Sequence, residues 1–278
     1  MNQSLLAPPA PTTPRQSVPF PRPNDRIPWD GSQFDKATPG PLIGPTFVAG
    51  WPTAWPIAAL IGVTLLFRYS PLDLWISGLF FDPMSRRWQW FYTPVCTWFY
   101  RGGIYPPFVL AFCGVALGLY GLLAPKRSER LLRAGTFLWV AFLIGPGIIV
   151  NCGFKDLWGR PRPHQVEQFG GRHQFVPVGT PSEQQPQNSS FPSGHAAVAF
   201  FLIAPAFIVD RRRPVLSRGL LIAGLTFGTA MSTVRVVQGG HFASDVLWSG
   251  AIVYLTCVAC ARLLLHPRCP PDVLPSHR

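Results

Sequence analysis

The stretch AGTFLWVAFLIGPGIIVNC, residues 134–152, runs for 19 residues without a charged side chain, and GFKDLWGRPRP, residues 153–163, follows it with three cations. A helix rises about 1.5 Å per residue, so the first part comes close to the roughly 30 Å of a bilayer's hydrocarbon. Five more apolar runs flank it: Trp51–Phe67 and Ile104–Leu123 before, then Ala196–Val209, Leu220–Val237 and Val246–Leu265 after. Ala196–Val209 is the shortest and has to borrow from Phe191–His195. Pro56, Gly145, Pro146, Gly147 and Pro205 interrupt the runs; membrane helices tolerate this because neighbouring helices satisfy the freed backbone groups. The expected fold is all-α, a polytopic membrane helical bundle with six transmembrane helices.

Composition agrees. Of the 278 residues, 48% are hydrophobic and only 13% charged, against about 25% charged in soluble domains. Collagen, a disulfide scaffold and a coiled coil are excluded, because no G-X-Y period, dense cysteine pattern or heptad run exists. Cys257 and Cys260 form a C-x-x-C inside an apolar run with no second pair, and read as small hydrophobes facing neighbouring helices. The net charge of +12 comes from 24 Lys+Arg against 12 Asp+Glu, and only Lys36, Lys126 and Lys155 are lysines. A basic balance admits nucleic acid or an anionic surface as partner; the positions of the cations decide between them.

Three regions are expected. Residues 1–50 hold eleven prolines and little apolar periodicity, so they read as a disordered tail; no basic start with an apolar core marks a signal peptide there. Residues 51–267 form the membrane domain, and 268–278 a short tail. Lys126, Arg127, Arg130 and Arg133 lie between the second and third runs, and Arg211, Arg212, Arg213 and Arg218 between the fourth and fifth. The positive-inside rule puts both loops, and with six crossings both termini, in the cytoplasm. Arg68, Arg86, Arg87 and Arg101 are spread over the first outward loop and weaken the bias without reversing it. Pro71–Trp90 mixes apolar residues with Asp73, Asp82, Arg86 and Arg87, which suits an interfacial helix.

Three clusters then fall at outward ends of the runs: Lys155 to Pro163, Ser190 to His195, and Arg235 to Asp245. Lys155, Arg162 and Arg235 supply cations and no general base, the donor set a multiply charged oxyanion such as phosphate requires. Arg160 is a candidate fourth cation. Pro192-Ser193-Gly194 opens a helix whose free N–H groups and dipole favour an anion, with Ser193 as cap. His241 and Asp245, four residues apart, share a helix face. A carboxylate on one ring nitrogen would fix the tautomer and free the other lone pair for attack. His195, beside the phosphate donors, is placed to protonate a leaving oxygen. Asp156 reads as a solvated charge and Trp158 as an interfacial aromatic.

The pattern K-x6-R-P, P-S-G-H, R-x5-H-x3-D resembles the type 2 phosphatidic acid phosphatase family, related to the vanadium haloperoxidases. The resemblance extends over about residues 70–265. It implies that His241 attacks phosphorus to form a phosphohistidine and that Asp245 orients it. It further implies that Lys155, Arg162, Arg235, Ser193 and the Gly194 N–H hold the phosphoryl oxygens. His195 would protonate the leaving group and then activate water, with no metal or cofactor required. The family often has Ser before the third-motif Arg; Val234 stands there, and Ser232 is on another face. The loop His164–Ser190 reads as either a flexible linker or a recognition lid. Its Phe169-Gly170-Gly171 and Phe175-Val176-Pro177 look like bacterial members that act on lipid A.

The expected function is metal-independent hydrolysis of an amphiphilic phosphate: lipid A, an isoprenyl diphosphate or a phospholipid phosphate. The partners are that lipid and the bilayer, not nucleic acid, and a site on the outward face would be periplasmic in a bacterial inner membrane. A lipid phosphotransferase using the same phosphohistidine and a non-catalytic anion transporter are the alternatives.

Overall fold

The structure, a computed structural model, describes residues 53–184, 188–210 and 212–265. The proline-rich tail expected over 1–50, the tail 268–278 and Arg211 of the second basic loop lie outside these residues. Eight helices follow in order: α1 Ala54–Tyr69, α2 Leu72–Gly78, α3 Pro94–Gly102, α4 Tyr105–Leu123, α5 Glu129–Leu157, α6 Gly194–Ile208, α7 Pro214–Val237 and α8 Ala243–Leu264. Between α2 and α3 a two-residue hairpin pairs Phe81 with Trp88 and Asp82 with Arg87, antiparallel.

Local sequence accounts for the helix starts. Thr93 caps α3 by accepting from Cys96 N–H, with Pro94 next, where its missing N–H costs nothing. Ser128 caps α5 by accepting from Leu131 N–H. Helix α5 is α-helical to Phe142 and π-helical over Leu143–Phe154, with Pro146 inside. Proline cannot donate to the helical ladder and crowds the carbonyl four residues back, so the wider turn relieves both problems. Asn151 Nδ2 donates to the Pro146 carbonyl at 2.7 Å across that turn.

Among the described residues four helices are long and apolar enough to cross a membrane: Pro94–Leu123, Glu129–Leu157, Pro214–Val237 and Ala243–Leu264. The α1–α2 pair makes a fifth if its 76° bend lies within one span. The sixth expected crossing, α6, is not among the long apolar helices: it covers only about 22 Å at 1.5 Å per residue. This helix lies at the centre of the protein and carries the chain from the Lys155 end of α5 to the start of α7. Ala196, Ala197, Ala199, Phe201, Ile203 and Ala204 are wholly shielded, packed between α5, α7 and α8. Phe200 lies between Gly228 of α7 and Gly250 of α8, where any added Cβ would meet its ring. Cys257 and Cys260 are buried in α8, as expected of small hydrophobes.

Three expectations change. Pro71–Trp90 is not one interfacial helix: it divides into α2 and the hairpin, and Asp73 is completely buried. The reason is that Asp73 finds a guanidinium inside the protein, described below. The loop 164–190 is not a slack linker over its described residues. Val166 and Val178 are fully buried and Val176 nearly so. Phe169 packs edge-on against Phe81 and Trp88, and Phe175 against Phe242. Trp158 also moves inward, to pack on Phe154 and Phe191 rather than at an interface, while Asp156 stays exposed as expected.

Candidate active site

The three motif clusters come from three separate parts of the chain and meet at one end of the bundle. Lys155 stands in the last turn of α5, Ser193 and Gly194 begin α6, and the loop between α7 and α8 carries His241. Ser193 caps α6 as expected, its Oγ accepting from Ala196 N–H at 3.3 Å. Ser249 of α8 fixes this corner, accepting from Ser193 N–H at 2.9 Å and donating to the Asp245 carbonyl at 2.8 Å. Gly194 has no alternative at its position. A Cβ there would stand 2.5 Å from Asn151 Oδ1 and 3.3 Å from Lys155 Nζ, so the missing side chain is what lets the lysine ammonium approach the α6 N-terminus.

The two arginines are held at their tips. Arg162 Nη2 donates to the Asn188 carbonyl at 3.2 Å and to its Oδ1 at 2.9 Å. Arg235 is buried, its guanidinium 4.8 Å from the Tyr100 ring centroid. Its Nη1 donates to Gln238 Oε1 at 2.7 Å, while its buried Nε has no partner among the described residues. An unpaired buried N–H of this kind costs about 1–3 kcal/mol, which an incoming oxyanion would recover. Tyr100 also stacks on His195, centroids 5.0 Å apart and planes 18° from parallel. A cavity of about 280 Å³ beside these groups is lined by Tyr92, Tyr100, Arg101, Arg162, His164 and Arg235 among others, while His195, His241 and Lys155 are not among its lining residues.

His241 is 1% exposed. Its Nδ1 lies 2.7 Å from the Ser190 carbonyl. A carbonyl only accepts, so Nδ1 carries the hydrogen and Nε2 holds the lone pair of the neutral ring. Burial, followed by the charges of Arg235, Arg162 and Lys155, pushes His241 well below the ordinary histidine range. Asp245 was expected to bond this ring directly; its Oδ2 is 3.9 Å from Nδ1 and accepts instead from Ser190 Oγ at 2.6 Å and Phe242 N–H at 2.8 Å. Asp245 therefore steadies the segment whose carbonyl holds the histidine.

Arg160 is not a fourth phosphate cation. It is fully buried and engaged on all sides: Nη1 with Asp245 at 2.5 Å and Ser244 Oγ at 2.9 Å, Nη2 with Asp73 at 2.8 Å, and Nε with the Val176 carbonyl at 2.9 Å. Its face lies 4.4 Å from the Phe242 centroid, and two carboxylates raise its pKa against the cost of burial. Val234, at the place where a serine is common, packs with Cys96 and Val237, and Ser232 Oγ turns back to the Gly228 carbonyl at 2.7 Å.

Sequence reasoning missed Tyr100, Asn151, His164, Asn188, Gln238 and the carbonyl of Ser190. Gln238 could have been found, one turn beyond Arg235 on the same helix face. Tyr100 carries no local signal.

The family model described as the PAP2 superfamily matches residues 135–268. A Francisella tularensis subsp. novicida (strain U112) protein named lipid A 4′-phosphatase is 33% identical over 188 residues, 68% of this chain and 84% of its own length. Proteins of the same name from Rhizobium etli (strain ATCC 51251 / DSM 11541 / JCM 21823 / NBRC 15573 / CFN 42) and Rhizobium leguminosarum are 34% and 35% identical over 136 and 131 residues, 48% and 46% of this chain. The chain spans about half of these two, 51% and 53%. No solved structure matches the chain.

Proposed function

The chain belongs to the PAP2 superfamily and is a phosphatase, and on that premise we propose that it hydrolyses the 4′-phosphate of lipid A through a phosphohistidine on His241. The observation that carries this reading is the fixed tautomer of a buried, neutral imidazole within the field of three cations. Nucleophilic catalysis needs a free lone pair at working pH, and phosphoryl transfer needs its equatorial charge held. Lys155, Arg162, Arg235 and the α6 N-terminus at Ser193 and Gly194 take the phosphoryl oxygens. His241 Nε2 attacks phosphorus as the P–O bond to the sugar breaks, and His195, carrying a proton taken up with the bound phosphate, gives it to the departing oxygen. His195 then takes a proton from water, the hydroxide attacks phosphorus, the P–N bond breaks, and free phosphate leaves. The cavity of about 280 Å³ suits a phosphorylated headgroup rather than acyl tails. Four to five apolar helices among the described residues support a multi-pass membrane protein, with the cavity, in this proposal, open to the periplasm.

Purified protein in detergent, given lipid A, an isoprenyl diphosphate and phosphatidic acid in excess EDTA, is expected to release phosphate fastest from lipid A. His241→Ala should abolish that release, and vanadate, a mimic of the five-coordinate phosphorus, should inhibit it. An absolute need for Mg²⁺ would sink the mechanism. A preference for another lipid would change the substrate and leave the chemistry standing. A carrier that merely binds anions would keep its function in His241→Ala.

A further inference from the structure

Asp73 belongs to none of the three motif clusters, yet none of its side chain reaches solvent. It lies 171 residues before Ser244 in the chain. Its Oδ1 accepts from Ser244 N–H at 3.0 Å, and its Oδ2 from Ser244 Oγ at 2.5 Å and Arg160 Nη2 at 2.8 Å. The neighbouring nitrogen of that guanidinium, Nη1, bonds Asp245 Oδ1. Asp245 Oδ2 accepts from Ser190 Oγ, and the Ser190 carbonyl accepts from His241 Nδ1. A continuous run of hydrogen bonds thus connects α2 to the histidine.

The charges are uneven. Two carboxylates share one guanidinium, so with both acids ionised the cluster keeps a net negative charge. Burying a second acid is costly unless it has work to do. Asp73 also caps Ser244 N–H in the first turn of α8, but the oxygen of a neutral amide could serve that N–H equally well, so capping alone does not call for a buried charge. What Asp73 changes is Arg160. With Nη2 on Asp73 and Nε on Val176, the guanidinium cannot turn into the cavity and cannot fully neutralise Asp245.

We propose that Asp73 is a positioning residue for the phosphoryl transfer: acting through Arg160, Asp245 and Ser190, it holds His241 in its attacking orientation and keeps negative charge near the ring. The inference rests on His241 being the nucleophile. As the P–N bond forms at Nε2 and the P–O bond breaks, the ring becomes a cation with its Nδ1–H still on the Ser190 carbonyl. The residual negative charge stabilises that cation more than the neutral ring that precedes it, so its effect falls on kcat.

The test compares steady-state kinetics of Asp73→Asn, Asp245→Asn, the double variant, Ser244→Ala and His241→Ala in detergent, each checked for folding by thermal unfolding. Asp73→Asn should lower kcat about 10- to 100-fold, the scale of a displaced reacting group, with KM unchanged. The double variant should lose less than the two single losses multiplied together, because the positioning part of Asp73's effect runs through Asp245. If Asp73→Asn does not fold, Ser244→Ala decides the matter, since it loosens the Asp73–Arg160 contact and keeps every charge; it should lower kcat and spare KM. Normal kcat in the folded variants, a rise in KM instead, or additive losses in the double variant would overturn the proposal. His241→Ala separates the two readings. If it is inactive while Asp73→Asn turns over normally, only the role of Asp73 fails; if it is active, the nucleophile itself is misassigned.

Discussion

A histidine that must attack phosphorus has to be unprotonated before substrate arrives, and the surroundings of His241 secure that. Burial is the largest cause, the cations Arg235, Arg162 and Lys155 add to it, and only the Ser190 carbonyl acts in the other direction. The free enzyme therefore needs no deprotonation near pH 6.5, and the acid limb of kcat/KM should come from the substrate, whose phosphomonoester ionises near about 6. Changing to a substrate of different phosphate pKa should move the limb with it; a limb that stays at 6.5 across substrates would refute the assignment. Stability follows the same linkage. The folded-state pKa is depressed, so above about 6.5 both states hold the ring neutral, and below it only the unfolded chain takes up the proton. The contribution of His241 should therefore weaken stability as pH falls below 6.5, by up to about 1.4 kcal/mol per pH unit. Thermal unfolding of His241→Gln, set beside the unaltered protein between pH 7 and 5, isolates that loss. Spacing named Lys155, Arg162, Arg235, His195 and His241, which the structure brings to one end of the bundle, but not Arg101 and His164, which line the cavity beside them. The direct partner of His241 was not legible either, because the spacing of His241 and Asp245 places them on one face but says nothing of a carbonyl arriving from residue 190.

At the scale of elements, α7 carries two glycines that should respond in opposite directions. A Cβ on Gly219 meets nothing, whereas a Cβ on Gly228 would overlap the ring of Phe200. In a helix, Gly→Ala alone stabilises by about 0.5–1 kcal/mol. Forcing atoms into a packed site costs about 1–3 kcal/mol, and Gly250 closes in on the far side of the same ring at 3.1 Å, so the phenyl has little room to withdraw. Gly219→Ala should raise the midpoint of thermal unfolding in detergent and Gly228→Ala lower it. Equal shifts would mean that α6 is not gripped between α7 and α8. The grip also explains where the sequence misleads. Apolar content announced α4, α5, α7 and α8 plainly, because a helix facing lipid and a helix facing protein are equally apolar. The same signal could not show that α6, shorter than the other apolar helices, is buried among its neighbours rather than facing lipid. Asp73 misled in the other direction: an acid among aromatics looks interfacial until its partner, 87 residues on, is known.

For the whole molecule, two groups of cations stand at opposite ends of the same helices. Lys126, Arg127, Arg130 and Arg133 lie at one end of α5, with Glu129 pairing Arg133 at 3.0 Å, and Arg212, Arg213 and Arg218 lie at the start of α7. Lys155 and Arg235 lie at the opposite ends of those same two helices, with Arg162 beside them. A helix of about 30 Å separates the groups, so one set addresses anionic lipid or the cytoplasm while the other addresses substrate. Anionic headgroups attract each juxtamembrane cation by about 1 kcal/mol, a pull that acts on the loop set at the membrane surface. The loop set should therefore be cytoplasmic and the cavity periplasmic. Reporter fusions after Arg213 and after Gly171 should land on opposite sides of the membrane. Reversing the charges at Lys126, Arg127, Arg130 and Arg133 should reduce correctly oriented protein in the membrane while leaving kcat of the correctly oriented fraction unchanged. Both fusions on one side would overturn the orientation, and with it the assignment of the cavity to the periplasm.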